Sequence, residues 1–219
     1  MPKKIPYGQS NFEKIMLGNY LYVDKTKYIE MLENESNDYN FLIRPRKFGK
    51  SLFLSTLWNY YDIAQKDKFE QLFGNLYIGK HPTGSQNSLF VLRFSFAGID
   101  TTSEEKFAES FTASVKVDVI SFITEHRNII LDFEQKKAEV YQKKTVKEYV
   151  KYAFDIAESF NKKCFVIIDE YDHFANDLIA IGTRLSNEQY KSAIWANSVV
   201  RDFYETLKDA TQTVIDKIF

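Results

Sequence analysis

The 219-residue sequence predicts an α/β fold in three layers, a mainly parallel central sheet flanked by helices. Three observations predict it. Cys164-Phe165-Val166-Ile167-Ile168-Asp169 is a near-continuous apolar, β-branched run of strand length, the pattern of a strand buried on both faces. Residues 89–96, Leu-Phe-Val-Leu-Arg-Phe-Ser-Phe, form a second such run. Helical spacing then fills the intervals: Leu54, Leu57, Trp58 and Tyr61 repeat at i, i+3, i+4, i+7, and Val146, Tyr149, Val150 and Ala153 mark one face of another helix.

The stretch that organises the chain is Phe41-Leu42-Ile43-Arg44-Pro45-Arg46-Lys47-Phe48-Gly49-Lys50-Ser51. The apolar run predicts a first core strand over 40–43, followed by a basic turn, Gly-Lys-Ser, and a helix from Ser51 to about residue 64. Strand, loop, Gly-Lys-Ser and helix in that order is the layout of a phosphate-binding P-loop. Uncapped N–H groups at a helix N-terminus bind phosphate oxygens. Gly49 lets the backbone approach without a side chain in the way, Lys50 reaches the β- and γ-phosphates, and the Ser51 hydroxyl suits Mg²⁺, a hard cation that prefers oxygen. The candidate nucleotide-binding residues are therefore Arg46, Lys47, Phe48, Gly49, Lys50, Ser51 and Leu52. The usual pattern has its first glycine where this chain has Arg44, and Gly-Lys-Ser alone also fits a solvated basic loop.

The partner motif lies far downstream, where the apolar run ends in Asp169-Glu170. Ligands collect at the carboxyl ends of strands in open α/β sheets. Asp169, with Ser51, is the candidate Mg²⁺ holder. Glu170 would polarise the attacking water, and it and Lys50 are the candidate catalytic residues. A core strand followed by a solvated acidic turn is the plainer alternative.

Composition narrows the classes. A net charge of −1 excludes a global field that would draw in nucleic acid. Cys164 is the only cysteine, which excludes an internal disulfide and suits a reducing cytosol; it reads as core rather than nucleophile. His81, His126 and His173 show no metal-ligand spacing. No apolar stretch of about 18 residues and no signal peptide is evident, so a soluble cytoplasmic protein without membrane contact is expected.

In chain order, residues 1–38 are expected to form an N-terminal arm and helix packed on the core. The arm includes a short helix near 11–16, an extended segment over 20–23, and Asp24 as N-cap of a helix through Leu32. Residues 39–219 form the core. Residues 66–73 predict a short helix and 74–88 a loop. Thr102 or Ser103 caps a long helix to about Arg127, with Glu104 and Glu105 in its first turn. Residues 133–140 predict a short helix, 145–160 a longer one, and 187–210 another. Asp172 and His173 follow the acidic strand and read as solvated. The apolar end, 214–219, looks like a core element just beginning.

Taken together, Val23-Asp24-Lys25-Thr26, Arg44-Pro45-Arg46-Lys47-Phe48-Gly49-Lys50-Ser51 and Asp169-Glu170-Tyr171-Asp172 resemble the AAA-ATPase-like family of bacterial P-loop NTPases, across almost the whole chain. The resemblance makes Arg44 a family trait. It implies ATP binding and Mg²⁺-dependent hydrolysis, coupled to an effector domain or partner. It also implies that the core is incomplete at Phe219, before the sensor strand. The lid and a C-terminal domain similar to PD-(D/E)XK nucleases would lie beyond, and nucleic acid would be met through that domain. A homo-oligomer is compatible. Arg44 and Arg46 either add charge to the phosphates or contact Asp172, and Arg184 and Arg201 are candidate arginine fingers only by lying on late helices. The alternative function is a nucleotide-gated protein- or nucleic-acid-binding module with little turnover, its loops near Asp100 and Tyr171 ordered by the γ-phosphate. A metal-dependent nuclease fits less well, because Asp169, Glu170 and Asp172 lack the lysine-spaced acidic pattern.

Overall fold

The carboxyl end of each strand points the same way, and that shared direction positions everything else. The computed structural model describes residues 3–35, 37–43, 45, 47–171 and 198–219. Among these, β1 (Phe90–Ser95) pairs in parallel with β2 (Cys164–Asp169), in register from Phe90 opposite Cys164 to Ser95 opposite Asp169. On its other side β2 pairs in parallel with β3 (Ile215–Ile218). A single parallel bridge, Tyr39 to Ile218, then brings the P-loop entry alongside β3.

Alternation along the strands divides the core in two. Phe90, Leu92, Phe94, Val166 and Ile168 face one layer, which holds α6 (Glu104–Glu125), α8 (Val146–Ser159) and α9 (Ser198–Ala210). Val91, Phe165 and Ile167 face the other, packing on Leu54, Leu57, Tyr60 and Tyr61 of α3 (Lys50–Tyr61). Tyr61 stacks on Phe165 with centroids 4.4 Å apart. Full burial of such side chains is worth roughly 1.5–3 kcal/mol each. The protein is thus a mixed α/β fold with a parallel sheet flanked by helices, of the P-loop NTPase-like type.

Capping explains where the helices start. Ser103 Oγ accepts from Lys106 N at α6. Thr145 and Glu148 form a reciprocal capping box at α8. Asn11 caps α1 (Phe12–Leu17) through Lys14 N. The short helix expected over 133–140 is α7 (Phe133–Val140).

The N-terminal segment is anchored in the core by buried side chains. Phe12, Ile15 and Ile29 are fully buried, and Phe12 N donates to Ser55 Oγ at 3.0 Å. Asp24 is not the cap of α2 (Lys27–Asn34); that position is Thr26, which makes no side-chain cap. Asp24 Oδ1 instead accepts from Thr26 N and Oγ1, and Oδ2 from Tyr77 N at 2.8 Å. Thr26 Oγ1 accepts from Ile78 N at 3.1 Å. Together they clamp α2 onto α5 (Tyr77–Lys80), a helical turn within the segment expected to be loop. Burial opposes ionisation of Asp24, but the donors from Thr26 and Tyr77 outweigh it and hold the carboxyl below its ordinary range.

Other expectations are corrected. Residues 40–43 are no core strand: Phe41 is 72% and Ile43 86% exposed, and pairing stops at the Tyr39 bridge. The helix after the P-loop ends at Tyr61, where Asp62 turns the chain into a 3₁₀ segment (Ile63–Lys68) and α4 (Phe69–Phe73). The long helix expected over 187–210 is described only as α9. Residues Arg44, Arg46, Asp172, His173 and Arg184 lie outside the described residues.

At the far end of α3 sits a buried ion pair. Asp62 Oδ1 accepts from His126 Nε2 at 2.9 Å, and both side chains are 0% exposed. His126 Nδ1 lies 2.7 Å from the Phe122 carbonyl, so with both ring nitrogens donating the imidazole is cationic. Trp58 Nε1 donates to Asp62 Oδ2 at 3.0 Å. Burial lowers the His126 pKa, but the bond to Asp62 and its charge outweigh burial, so the net shift is upward. A histidine with a raised folded pKa contributes stability that is full below its unfolded pKa of about 6.5 and lost as pH rises through the folded value. In chemical denaturation, wild-type stability should fall above about pH 6.5 with a step that His126→Gln lacks. At pH 6 that variant should be less stable by roughly 3–5 kcal/mol, because Asp62 is left buried without its partner.

Candidate functional site

The loop before α3 is built from two left-handed residues, Lys47 (φ 67°) and Gly49 (φ 81°). Gly49 is the N-cap residue, and glycine is favoured there because other residues pay about 1–2 kcal/mol in this region. Phe53 N donates to Gly49 O at 3.0 Å, which starts the helical ladder. No side chain caps the helix and no acid stands in its first turn, so its N-terminal amides and positive dipole end face outward. A methyl group at Gly49 would meet nothing within 4 Å. Phe48 beside it is 59% exposed.

Lys50, Asp169 and Glu170 border one cavity of about 260 Å³, closed by Tyr204 and Leu207 of α9. Ser51 and Asp169 border a second, of about 370 Å³. Asp169 thus stands at the junction, with the lysine on one side and the hydroxyl on the other. The segment leading to the lysine and the strand carrying the acids are not neighbours. β3 lies between them: Ile218 O accepts from Asn40 N and Ile218 N donates to Asp38 O on one side, while Val214 and Phe219 bond β2 on the other. α3 carries Lys50 back over β2, so the groups still converge. Glu170 is exposed and left-handed (φ 55°), with its N–H donating to Asp169 Oδ1 at 3.0 Å. Such strain in a non-glycine residue concentrates at functional sites.

The second cavity holds charged residues that belong to neither sequence motif. The Arg93 guanidinium lies 3.7 Å over the Trp58 ring and pairs with Glu125. Asp118 Oδ2 accepts from Ser95 N at 3.1 Å, and Ser114 Oγ donates to Ser95 O at 2.9 Å. Burial pushes the Asp118 carboxyl up to about 7, against the pull of Ser95 N–H and Arg93 and with help from Glu125. Two signals pointed here: Arg93 is the one charge in an apolar strand, and Asp118, Ser121 and Glu125 share a helical stripe.

Among the described residues, no group of three or more His, Cys, Asp and Glu is placed to hold a metal. The hydroxyl of Ser51 and the carboxylate of Asp169 are hard oxygen donors that suit Mg²⁺ completed by phosphate and water oxygens. Cys164 is fully buried, and burial raises its thiol pKa, so it is inert core. Arg201 pairs with Glu205 on its own helix at 2.8 Å. Among the described residues, no helix is long and apolar enough to cross a membrane.

A parallel α/β sheet with a glycine-turned helix N-terminus beside its carboxyl ends defines a P-loop-like NTPase fold. Residues 6–219 match the AAA-ATPase-like family, described as Predicted AAA-ATPase, and the chain belongs to that family. Membership supports nucleotide binding in general. A protein of Azotobacter chroococcum mcd 1, described as an uncharacterized protein in the vnfD 5' region, is 42% identical over 97 residues. That match covers 44% of this chain and 17% of the relative. No solved structure matches.

Gly49→Ala tests the loop. It should cost only about 1–2 kcal/mol of stability from the left-handed strain, since the methyl meets open space. If the loop cradles a phosphate chain, calorimetric titration should nonetheless show nucleotide affinity falling by at least about tenfold, because a methyl there would stand where phosphate oxygens approach the backbone.

Proposed function

We propose that the chain binds ATP with Mg²⁺ and hydrolyses it, coupling nucleotide state to an effector domain or partner. The observation that supports this most is the convergence of Lys50 and the Asp169-Glu170 pair on one cavity at the open N-terminus of α3. In phosphoryl transfer, positioning and charge neutralisation do most of the work. The loop from Arg46 to Leu52 cradles the phosphates through backbone N–H groups. Lys50 neutralises charge on the β- and γ-phosphates. Ser51 and Asp169 hold Mg²⁺, which when bound offsets the charge that develops between those phosphates. Glu170 orients the attacking water and takes its proton.

Coupling has a physical route. Tyr171, directly after the acids, packs edge-on against Phe41 of the P-loop entry with centroids 6.1 Å apart, and α9 closes the same cavity. Changes at Glu170 therefore reach two elements at once. The division into an arm (1–38) and a core (39–219), with lid and nuclease-like domain beyond, a possible homo-oligomer, and a cytoplasmic setting belong to the same proposal. The exposed, left-handed Glu170 favours a second reading, a nucleotide-gated binding module with little turnover.

Lys50→Ala should abolish the ATP-dependent thermal shift. Glu170→Gln should keep the shift while phosphate release falls about 10²–10⁴-fold. A normal shift in the lysine variant removes the P-loop reading. A wild-type protein that shifts but releases no phosphate leaves the gated module.

A further inference from the structure

Beside the P-loop, between it and α2, lies a groove of about 410 Å³ that borders Phe48 and Gly49. Its walls are open, and apolar side chains share them with Lys25, Glu35, Asn37 and Asn40. Tyr28 is 40%, Met31 52%, Phe41 72% and Phe48 59% exposed, although most large apolar side chains among the described residues are buried. Its floor is made by Phe53 and Phe219, in an edge-to-face pair with centroids 5.8 Å apart. The volume falls within the roughly 300–1,000 Å³ of small-molecule sites.

The groove is pre-formed because α2 is anchored from behind. Ile29 is fully buried, the Asp24–Thr26 clamp grips the amides of Tyr77 and Ile78, and Tyr77 Oη donates to Glu30 at 2.7 Å. Lys217 Nζ fixes the turn after α2 through the Glu35 carbonyl at 2.8 Å. Between the two clamping residues stands Lys25, whose side chain borders the groove instead. Among the described residues its ammonium has no ion pair or hydrogen bond. The clamp thus turns Asp24 and Thr26 inward and leaves Lys25 between them on the groove that Gly49 also borders.

We propose that this groove is the nucleoside end of the site. An aromatic base seats among Tyr28, Met31, Phe41 and Phe48, and Lys25 pairs with the α-phosphate beside Gly49. This rests on the ATP reading and assigns the Val-Asp-Lys-Thr stretch a purpose: two residues hold the helix and the third meets the ligand. Base packing on aromatic and thioether surface supplies affinity that a bare phosphate chain cannot gain.

Calorimetric titration of the full chain with ATP and with inorganic tripolyphosphate tests the assignment. The wild type should bind ATP about tenfold or more tighter than tripolyphosphate. The double variant Tyr28→Ala with Met31→Ala should lose that preference and leave tripolyphosphate affinity unchanged. Both side chains are well exposed, and an unchanged thermal midpoint without ligand verifies folding. Lys25→Ala should weaken both ligands several-fold, with Lys25→Arg restoring most of the loss. Equal affinity for ATP and tripolyphosphate in the wild type overturns the groove assignment while sparing the P-loop. So does an unchanged ATP preference in the double variant. Unaltered affinities in Lys25→Ala remove Lys25 from the site. Failure of the wild type to bind either ligand overturns the ATP reading itself.

Discussion

The parallel pairing of β3 on both its flanks is the constraint on which the site depends. Cys164 N donates to Val214 O, Ile168 N to Phe219 O and Phe219 N to Val166 O, while Asn40 N donates to Ile218 O and Ile218 N to Asp38 O. These bonds set the acidic strand and the P-loop entry at fixed distances on either side of a four-residue strand. Buried backbone groups must be paired, so removing β3 would free donors and acceptors on two neighbours at once. Its apolar positions, Ile215 and Ile218, are buried in the same stroke. The geometry that brings Lys50 and Asp169 to one cavity is therefore a backbone property first and a side-chain property second.

α3 has two ends with opposite treatment. The amino end is uncapped, free of acids and turned by a left-handed glycine, so its dipole faces outward. The carboxyl end is tied down: Asp62 gathers Trp58, Ala64 N and His126, and Ile63 N reaches Leu89 O at 2.8 Å. The rigidity that the amino end forgoes is supplied at the other end, about three turns of helix away. Arg93 over Trp58 links the second cavity to the same anchor, so the helix is braced against β1 as well as β2.

Much of this was legible in the sequence because it rested on local rules. Continuous apolar runs marked β1 and β2 within a residue or two. Helical periodicity marked the buried faces of α3 and α8, and the cap of α6 was narrowed to Thr102 or Ser103, of which Ser103 makes it. Motif order placed Gly49, Lys50, Ser51 and Asp169 on the elements that carry them. What escaped notice depended on tertiary partners. Phe41-Leu42-Ile43 has strand composition, but its pairing with β3 ends at Tyr39, and Phe41 and Leu42 border the groove instead. Asp24 had the chemistry of an N-cap, yet Tyr77, more than fifty residues on, claimed its second oxygen. Arg93 and Asp118 belong to no motif; only the packing of α6 on β1 brings them to Asp169. That β3 would intervene between lysine and acids is a matter of strand order, which a linear pattern does not encode.

The bond from Ser95 N to Asp118, with Ser114 on the Ser95 carbonyl, occupies both main-chain groups at the outer margin of β1. An unguarded sheet margin is a template on which a foreign strand can grow, and proteins cover or charge such margins to stay dispersed. Here one helix does both, laying carboxylates along the strand it covers. A second molecule seeking to extend the sheet from that side would have to displace hydrogen bonds already made and confront two acids, so fibrous self-association is turned away there by the same residues that line the cavity.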